Sequence, residues 1–327
     1  MSADQRAIAD LHCDLLLYLQ QDPKRSAFDL ISRCSIPQLK AGRVAVQTLA
    51  IFAETQAGST AGARAQVQLY DSLLKDHPEH VAVFDRKTFQ KEKRISLAVS
   101  IENASGFFEE DEPLEKGFER LAQLQKKAGQ ILYLSLTWNT ENRFGGGNLT
   151  TVGLKEEGKA LLEYLSEQNI AIDLSHTSDS LAEDILTHID KKKLRLTPIA
   201  SHSNFRSVQP HARNLPSDVA SEIFRRGGIV GLNFVKKFVG EEFVSCFLKH
   251  VEKGLELGGS DRLCLGADFF YDLDSPSGLD NLKPFFFEEF SNSGCYPHVV
   301  QLLKQHFTDE QAAKISFGNF ISWRHLL

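Results

Sequence analysis

Short apolar, β-branched runs recur along this chain, and longer amphipathic stretches separate them. The runs span 8–14, 44–52, 95–101, 131–137, 170–175, 197–201, 228–234 and 263–269. Helical periodicity marks 156–168, 178–190, 218–226 and 241–257. Strands alternating with helices predict parallel βαβ units. Eight such units predict a closed (β/α)8 barrel of the TIM type, with its chemistry at the C-terminal ends of the strands. An open doubly wound sheet shares the alternation but binds ligand at a switch point. Strand count leaves both open, so the polar residues must help to separate them. No internal repeat, low-complexity tract or linker-like stretch divides the 327 residues, so one domain over 1–327 is expected.

Bulk composition narrows the function classes. A formal net charge of −6 provides no large basic field, so nucleic acid is not an expected partner. Nowhere do eighteen apolar residues follow one another, which argues against a transmembrane helix and a membrane partner. The first residues do not read as a signal peptide. Cys13, Cys34, Cys246, Cys264 and Cys295 are scattered, odd in number and without a Cys-x-x-Cys pair. They read as reduced thiols in a cytoplasmic protein, not as a disulfide framework or a structural zinc site.

The polar residues that close the runs carry the chemistry. The first run ends His12-Cys13-Asp14. Alternate strand positions share a face about 6–7 Å apart, so an imidazole and a carboxylate there can converge on a cation. Taken alone, such a pair reads equally as a hydrogen bond or a helix cap. Cys13 should face the other way. Glu102 closes the third run; a carboxylate there is costly if buried unpaired, or else begins a solvated loop. His176 and His202 follow the fifth and sixth runs, and Asp268 ends the eighth. A lone histidine of this kind is usually a satisfied core residue, but two at corresponding places in successive units are harder to dismiss. Nitrogen and oxygen donors without thiolates suit zinc or a similar first-row cation in a catalytic site. One carboxylate beyond the needs of a single tetrahedral ion invites a pair of divalent ions bridged by a carboxylate.

These segments resemble the renal (membrane) dipeptidase family of amidohydrolase-like barrels. The likeness runs from His12-x-Asp14 to Phe317-Gly318-Asn319-Phe320 and is most specific over 153–178, 198–219 and 227–235. It implies that His12 and Asp14 hold the first metal, Glu102 bridges both, and His176 and His202 hold the second. It further implies that Arg213 grips the substrate's terminal carboxylate and that Asp268 carries the proton. The implied reaction is attack on a dipeptide bond by hydroxide shared between two zinc ions. Asp268 takes the proton and delivers it to the leaving amine. Relatives are often homodimers.

Two departures bear on the pocket. Where renal-type members have Leu-Thr-His after the fourth strand, this chain reads Leu136-Thr137-Trp138. Trp138 and Asn139 are therefore expected at the substrate, with Asn139 or Asn142 as candidate oxyanion donors. After Asp268 the chain reads Phe269-Phe270-Tyr271-Asp272 where the family commonly has Phe-Asp-Gly, which should reshape the pocket.

Other features have plainer readings. Gly145-Gly146-Gly147 lacks phosphate-loop spacing and is expected to form a flexible loop over the site. Lys191-Lys192-Lys193 reads as a solvated turn. The aromatic segment 285–290 is expected to line the pocket, meet a second copy or pack beneath a long loop. A related N-acyl amino acid amidase would use the same metals. A barrel turned binding protein would be favoured by a missing ligand, yet every ligand position is filled. A serine hydrolase at Ser201 or Ser203 is rejected, because no Gly-x-Ser-x-Gly elbow occurs and adjacent Ser and His point to opposite faces of a strand.

Overall fold

The computed structural model describes residues 7–85, 89, 94–128, 130–274 and 280–324. The first six residues, where the N-terminal segment was read for a leader, lie outside them. All eight apolar runs form parallel strands. These are β1 (Ile8–Cys13), β2 (Val44–Phe52), β4 (Ile95–Glu102), β5 (Ile131–Ser135), β6 (Ala171–Asp173), β7 (Pro198–Ile199), β8 (Val230–Leu232) and β9 (Leu263–Leu265). Their order is β7-β6-β5-β4-β2-β1-β9-β8. A parallel bridge from Ala200 to Val230 joins the two ends, with Ala200 N donating to Ile229 O at 3.0 Å and Gly231 N to Ala200 O at 2.8 Å. The sheet therefore closes as a (β/α)8 barrel.

A short strand outside this count, β3 (Val81–Val83), pairs with β4 at Ile95–Leu97, below the point where β5 joins at Val99. Three residues ending in an exposed Val83 offer too little pattern to be read from sequence.

Alternation along the strands sorts the side chains. Leu97, Val99 and Ile101 pack in the outer layer against the helices, whereas Ala98 belongs to a smaller inner cluster. Glu102 shares the parity of Ala98, so it points inward at the barrel mouth. Phe320 and Trp323, from the helix Asn319–Arg324, complete the inner cluster. On β1, three residues span an interval that two span on β2: Asp10 pairs with Gln47, and Cys13 with Leu49. This bulge turns His12 inward beside Leu11, while Asp10 and Cys13 face the outer layer.

The helices follow their predicted spans closely. Glu156–Gln168 begins and ends where the periodicity places it. Asp179–Lys192 starts behind Ser178, whose hydroxyl accepts from Leu181 N at 3.0 Å, satisfying one orphan donor of the first turn. Its apolar stripe (Leu181, Ala182, Ile185, Ile189) is buried against the barrel. The helix stops as Lys193 turns left-handed at φ 54°.

His250, on the helix Phe243–Glu256, is a buried neutral histidine. Its Nε2 donates to Val239 O at 3.0 Å and its Nδ1 accepts from Phe205 N at 3.3 Å. Burial depresses its pKa to about 4, with the Val239 carbonyl opposing. Below about pH 6.5 the unfolded chain binds a proton that the native state refuses, so stability falls as pH drops towards 4. The loss attributable to this residue is roughly 3 kcal/mol. Chemical denaturation at pH 7.5 and pH 4.5 should show a smaller acid loss for His250→Gln than for the parent. Equal losses would dismiss the assignment.

Candidate metal centre

The strand ends deliver their side chains to one place. His12 Nε2 lies 3.3 Å from Glu102 Oε2, 4.0 Å from Asp14 Oδ1 and 3.8 Å from Asp268 Oδ1. The other Glu102 oxygen stands 2.9 Å from His176 Nε2 and 3.6 Å from His202 Nε2. The two Nε2 atoms of His176 and His202 are 3.0 Å apart, and the His12 and His202 rings stack with centroids 3.8 Å apart. Three imidazoles and three carboxylates, Glu102 among them, thus meet in one place. His12 with Glu102 and His202, and His12 with Asp14 and Asp268, each bring three donor atoms within 4.8 Å.

Strand geometry breaks where the candidate ligands are presented. Asn103, His176 and Asp268 all adopt left-handed backbone, at φ 70°, 69° and 64°. Such conformations cost a non-glycine residue on the order of 1 kcal/mol or more and cluster where a side chain must be aimed. This explains why β6 and β9 are shorter than their apolar runs: the chain leaves the ladder to turn His176 and Asp268 into the mouth.

Each imidazole is held in one tautomer. The Tyr133 hydroxyl donates to Leu11 O at 2.7 Å, so it accepts from His12 Nδ1 at 2.9 Å. The Ser201 hydroxyl donates to Asp173 Oδ2 at 2.6 Å, so it accepts from His202 Nδ1, also at 2.6 Å. His176 Nδ1 donates to Asn139 Oδ1 at 2.8 Å. The Nε2 atoms of His176 and His202 are left as lone-pair donors aimed at the centre, and His12 Nε2 becomes one once it gives up its proton, the arrangement metal-binding histidines require. His12 Nε2 and Asp14 Oδ1 are buried without a hydrogen-bond partner. Two facing lone pairs and two orphaned buried atoms are satisfied together by cations, so the donor set fits divalent metal.

The electrostatics agree for His176 and His202. Burial pushes Asp14 well above the carboxylate range, and the nearby charge of Glu102 adds to this. Burial also acts on Glu102, but His12 and the hydrogen-bonding imidazoles hold it well below its ordinary value. Burial disfavours the His12 cation, yet Tyr133 and Glu102 outweigh it and hold that pKa well above normal. Burial lowers His176 to about 4 and drives His202 well down, so both are neutral and ready to coordinate. With protein charges alone, crowded acids lack sufficient positive charge.

Two buried aspartates fasten the framework. Asp10 accepts from His12 N and Ala267 N and from the Tyr296 hydroxyl, tying the ends of β1 and β9. Asp173 accepts from Ser175 N, Ser201 N, and the hydroxyls of Ser135 and Ser201, tying β5, β6 and β7. Sequence reading missed both roles, along with Tyr133 and Asn233. An acid inside an apolar run was the available signal for Asp10.

The remaining expected residues fall at varied distances from the mouth. Asp268 accepts from Asn233 Nδ2 at 2.9 Å. Arg213 is buried behind the centre: Nη1 donates to Ser203 Oγ at 2.7 Å and Nη2 to His202 O at 3.0 Å, while Nε has no partner. Trp138 lines the cavity, against Phe52 and 6.0 Å from the His176 ring. Asn139 also reaches the cavity, its oxygen occupied by His176. The Asn142 amide instead donates to Asn103, Ser105 and Leu136, which builds the loop.

The glycine triplet corrects an expectation. Gly145, Gly146 and Gly147 are buried and bonded into their surroundings, with Ser178 N donating to Gly146 O at 2.9 Å. A Cβ on Gly147 would lie 1.9 Å from Trp138 O, so glycine serves close backbone packing beneath Trp138 and not flexibility. In the aromatic segment, Phe285 lines the cavity, whereas Phe290 stacks on Phe243 in the outer core.

A closed parallel barrel with buried imidazoles and carboxylates converging at its C-terminal mouth defines the class: a metal-binding (β/α)8 barrel. More particularly, the chain belongs to the membrane dipeptidase family, peptidase family M19, whose family model matches residues 3–323. Its fold is similar to that of a metallo peptidase from Rhodobacter sphaeroides, solved with a phosphinate mimic of the dipeptide L-Ala-D-Ala. That likeness has a TM-score of 0.82 at 19% identity and covers 98% of both chains. Dipeptidase verJ of Clonostachys rogersoniana is 26% identical over 52% of this chain and 45% of its own length. An uncharacterized protein in the pqqA 5' region of Klebsiella pneumoniae is also 26% identical, over 57% of this chain and 69% of that protein. Among the described residues no helix is long and apolar enough to cross a membrane.

Proposed function

We propose that this protein is a metal-dependent dipeptidase that hydrolyses L-Xaa-Xaa and L-Xaa-D-Xaa dipeptides at a pair of divalent ions, zinc in the first instance. The observation that carries the reading is the facing pair of tautomer-locked Nε2 atoms beside Glu102, with orphaned donors on His12 and Asp14. His12 and Asp14 would hold one ion, His176 and His202 the other, with Glu102 between them. Ions there supply Lewis acidity towards the peptide carbonyl and the attacking water.

The chain's own residues do the rest. Asp268, fixed by Asn233, receives and returns the proton; burial, opposed by His12 and reinforced by Glu102, raises it to about 6, where acid–base work is efficient. Arg213 has five N–H groups, of which two are spent on Ser203 and His202, so Nε and its remaining donors are left for the substrate carboxylate. Asn139 orients His176. The carboxylates facing the cavity, Asp14 and Asp268 among them, suit a free ammonium better than an N-acyl group, which favours dipeptides over N-acyl amino acids. All five cysteines are unpaired, in keeping with a reducing cytoplasmic setting.

Elemental analysis paired with a ninhydrin assay on dipeptides tests the reading. About two divalent ions per chain, with release abolished by a chelator and restored by zinc, is the expected result. No metal uptake and no release after adding zinc would overturn it.

A further inference from the structure

The cavity over the metal centre has an unusual lining for a site that must take a zwitterion. Beyond the metal-centre residues its wall is largely aromatic: Phe52, Trp138, Phe238, Phe270, Tyr271 and Phe285. Its charged lining side chains, among the described residues, are all acidic: Asp14, Glu102, Asp268 and Asp274. Asp274 is neutralised by a two-pronged ion pair with Arg25, whose guanidinium lies 4.5 Å over the Tyr18 ring and 5.1 Å from Tyr271. That cation is thus held by an acid and two rings at the edge of the cavity.

The aromatic wall is braced as well as apolar. Phe270 meets Phe285 edge-on at 4.9 Å and Phe286 at 5.2 Å, and Lys236 N holds Phe285 O at 2.7 Å. Trp138 rests on Phe52 at 5.2 Å and above the packed Gly147 turn. Rings supported this way present a preformed apolar surface that costs little to order when a ligand arrives.

From this wall we infer the substrate class of the site: dipeptides bearing a bulky apolar or aromatic side chain, with acidic side chains rejected. The inference rests on the dipeptidase reading and adds the side-chain preference to it. A large apolar side chain exchanges water for the rings, gaining in proportion to the area it covers. A glutamyl or aspartyl side chain would be desolvated against the rings, near Asp268, and with Arg213 taken by the terminal carboxylate no other free cation among the described residues of the wall receives it, which is costly in a site of low dielectric.

The test is kcat/KM on the zinc-loaded protein for Ala-Phe, Phe-Ala, Ala-Ala, Ala-Glu and Glu-Ala. The better phenylalanine dipeptide should exceed Ala-Ala by about tenfold or more, a ratio within reach of apolar contacts. Both glutamyl dipeptides should fall below Ala-Ala. Phe270→Ala should shrink the Phe-to-Ala ratio several-fold, chiefly through KM. Comparable values for Ala-Phe, Phe-Ala, Ala-Ala and the glutamyl dipeptides would overturn the inference while leaving the dipeptidase reading intact. Should nothing be hydrolysed, the dipeptidase reading falls and binding decides the preference separately, through quenching of Trp138 fluorescence. Tighter quenching by a phenylalanine dipeptide than by Ala-Ala or a glutamyl one would uphold the preference, and equal affinities would reject it.

Discussion

Glu102→Gln is expected to abolish activity by preventing the metal centre from assembling. The Glu102 carboxylate lies within 3.6 Å of all three site imidazoles, one oxygen facing His12 and the other His176 and His202. Glutamine keeps the shape but replaces one anionic oxygen with an amide NH2, which offers hydrogens where lone pairs are needed. Metal content should fall below that of the parent, and kcat/KM should drop by about 10³ or more, equivalent to about 4 kcal/mol of transition-state stabilisation. The parent should gain thermal stability when zinc is added, because metal binds the folded state, and the variant should gain much less. A variant with full metal content and an undiminished zinc-dependent rise in Tm would remove Glu102 from the centre.

Much of this centre was legible because it is built from strand ends. Apolar runs announce barrel strands, and a polar residue at the end of such a run must lie at one rim of the barrel. His12, Asp14, Glu102, His176, His202 and Asp268 are singled out in this way, and the structure brings them to one place, while the roles allotted to them come from the family resemblance. What the chain does not announce is long-range. Tyr133 reaches His12 across 121 positions, and Ser201 reaches Asp173 across 28, with no local pattern to mark either contact. Nor does periodicity reveal the β1 bulge. A strictly alternating strand would have placed His12 on the same side as Asp10, against the outer helix and Tyr296. The glycine triplet misled for a related reason: composition suggests freedom, whereas the backbone of Trp138 and Asn139 packs where a side chain would otherwise stand.

Asp268→Asn separates metal binding from proton transfer. Asp268 lies near His12 and Asp14, close enough to belong to a three-donor group, so its position alone admits a ligand role. Its other oxygen is fixed by Asn233, and its backbone is turned at φ 64° to face the cavity. If it carries the proton, the asparagine variant should bind metal as the parent does, keep KM for a good dipeptide within a few-fold, and lose about 10²–10⁴ in kcat. If it is a ligand, metal content and kcat should fall together, as for Glu102→Gln. An Asn233→Ala variant sharpens the contrast, because it removes the hydrogen bond that aims and acidifies the Asp268 carboxyl while leaving that carboxyl in place. The carboxyl should then titrate higher, moving the acidic limb of the pH–rate profile upward, with little change in metal content. Unchanged kcat in Asp268→Asn would eliminate the proton-carrier role.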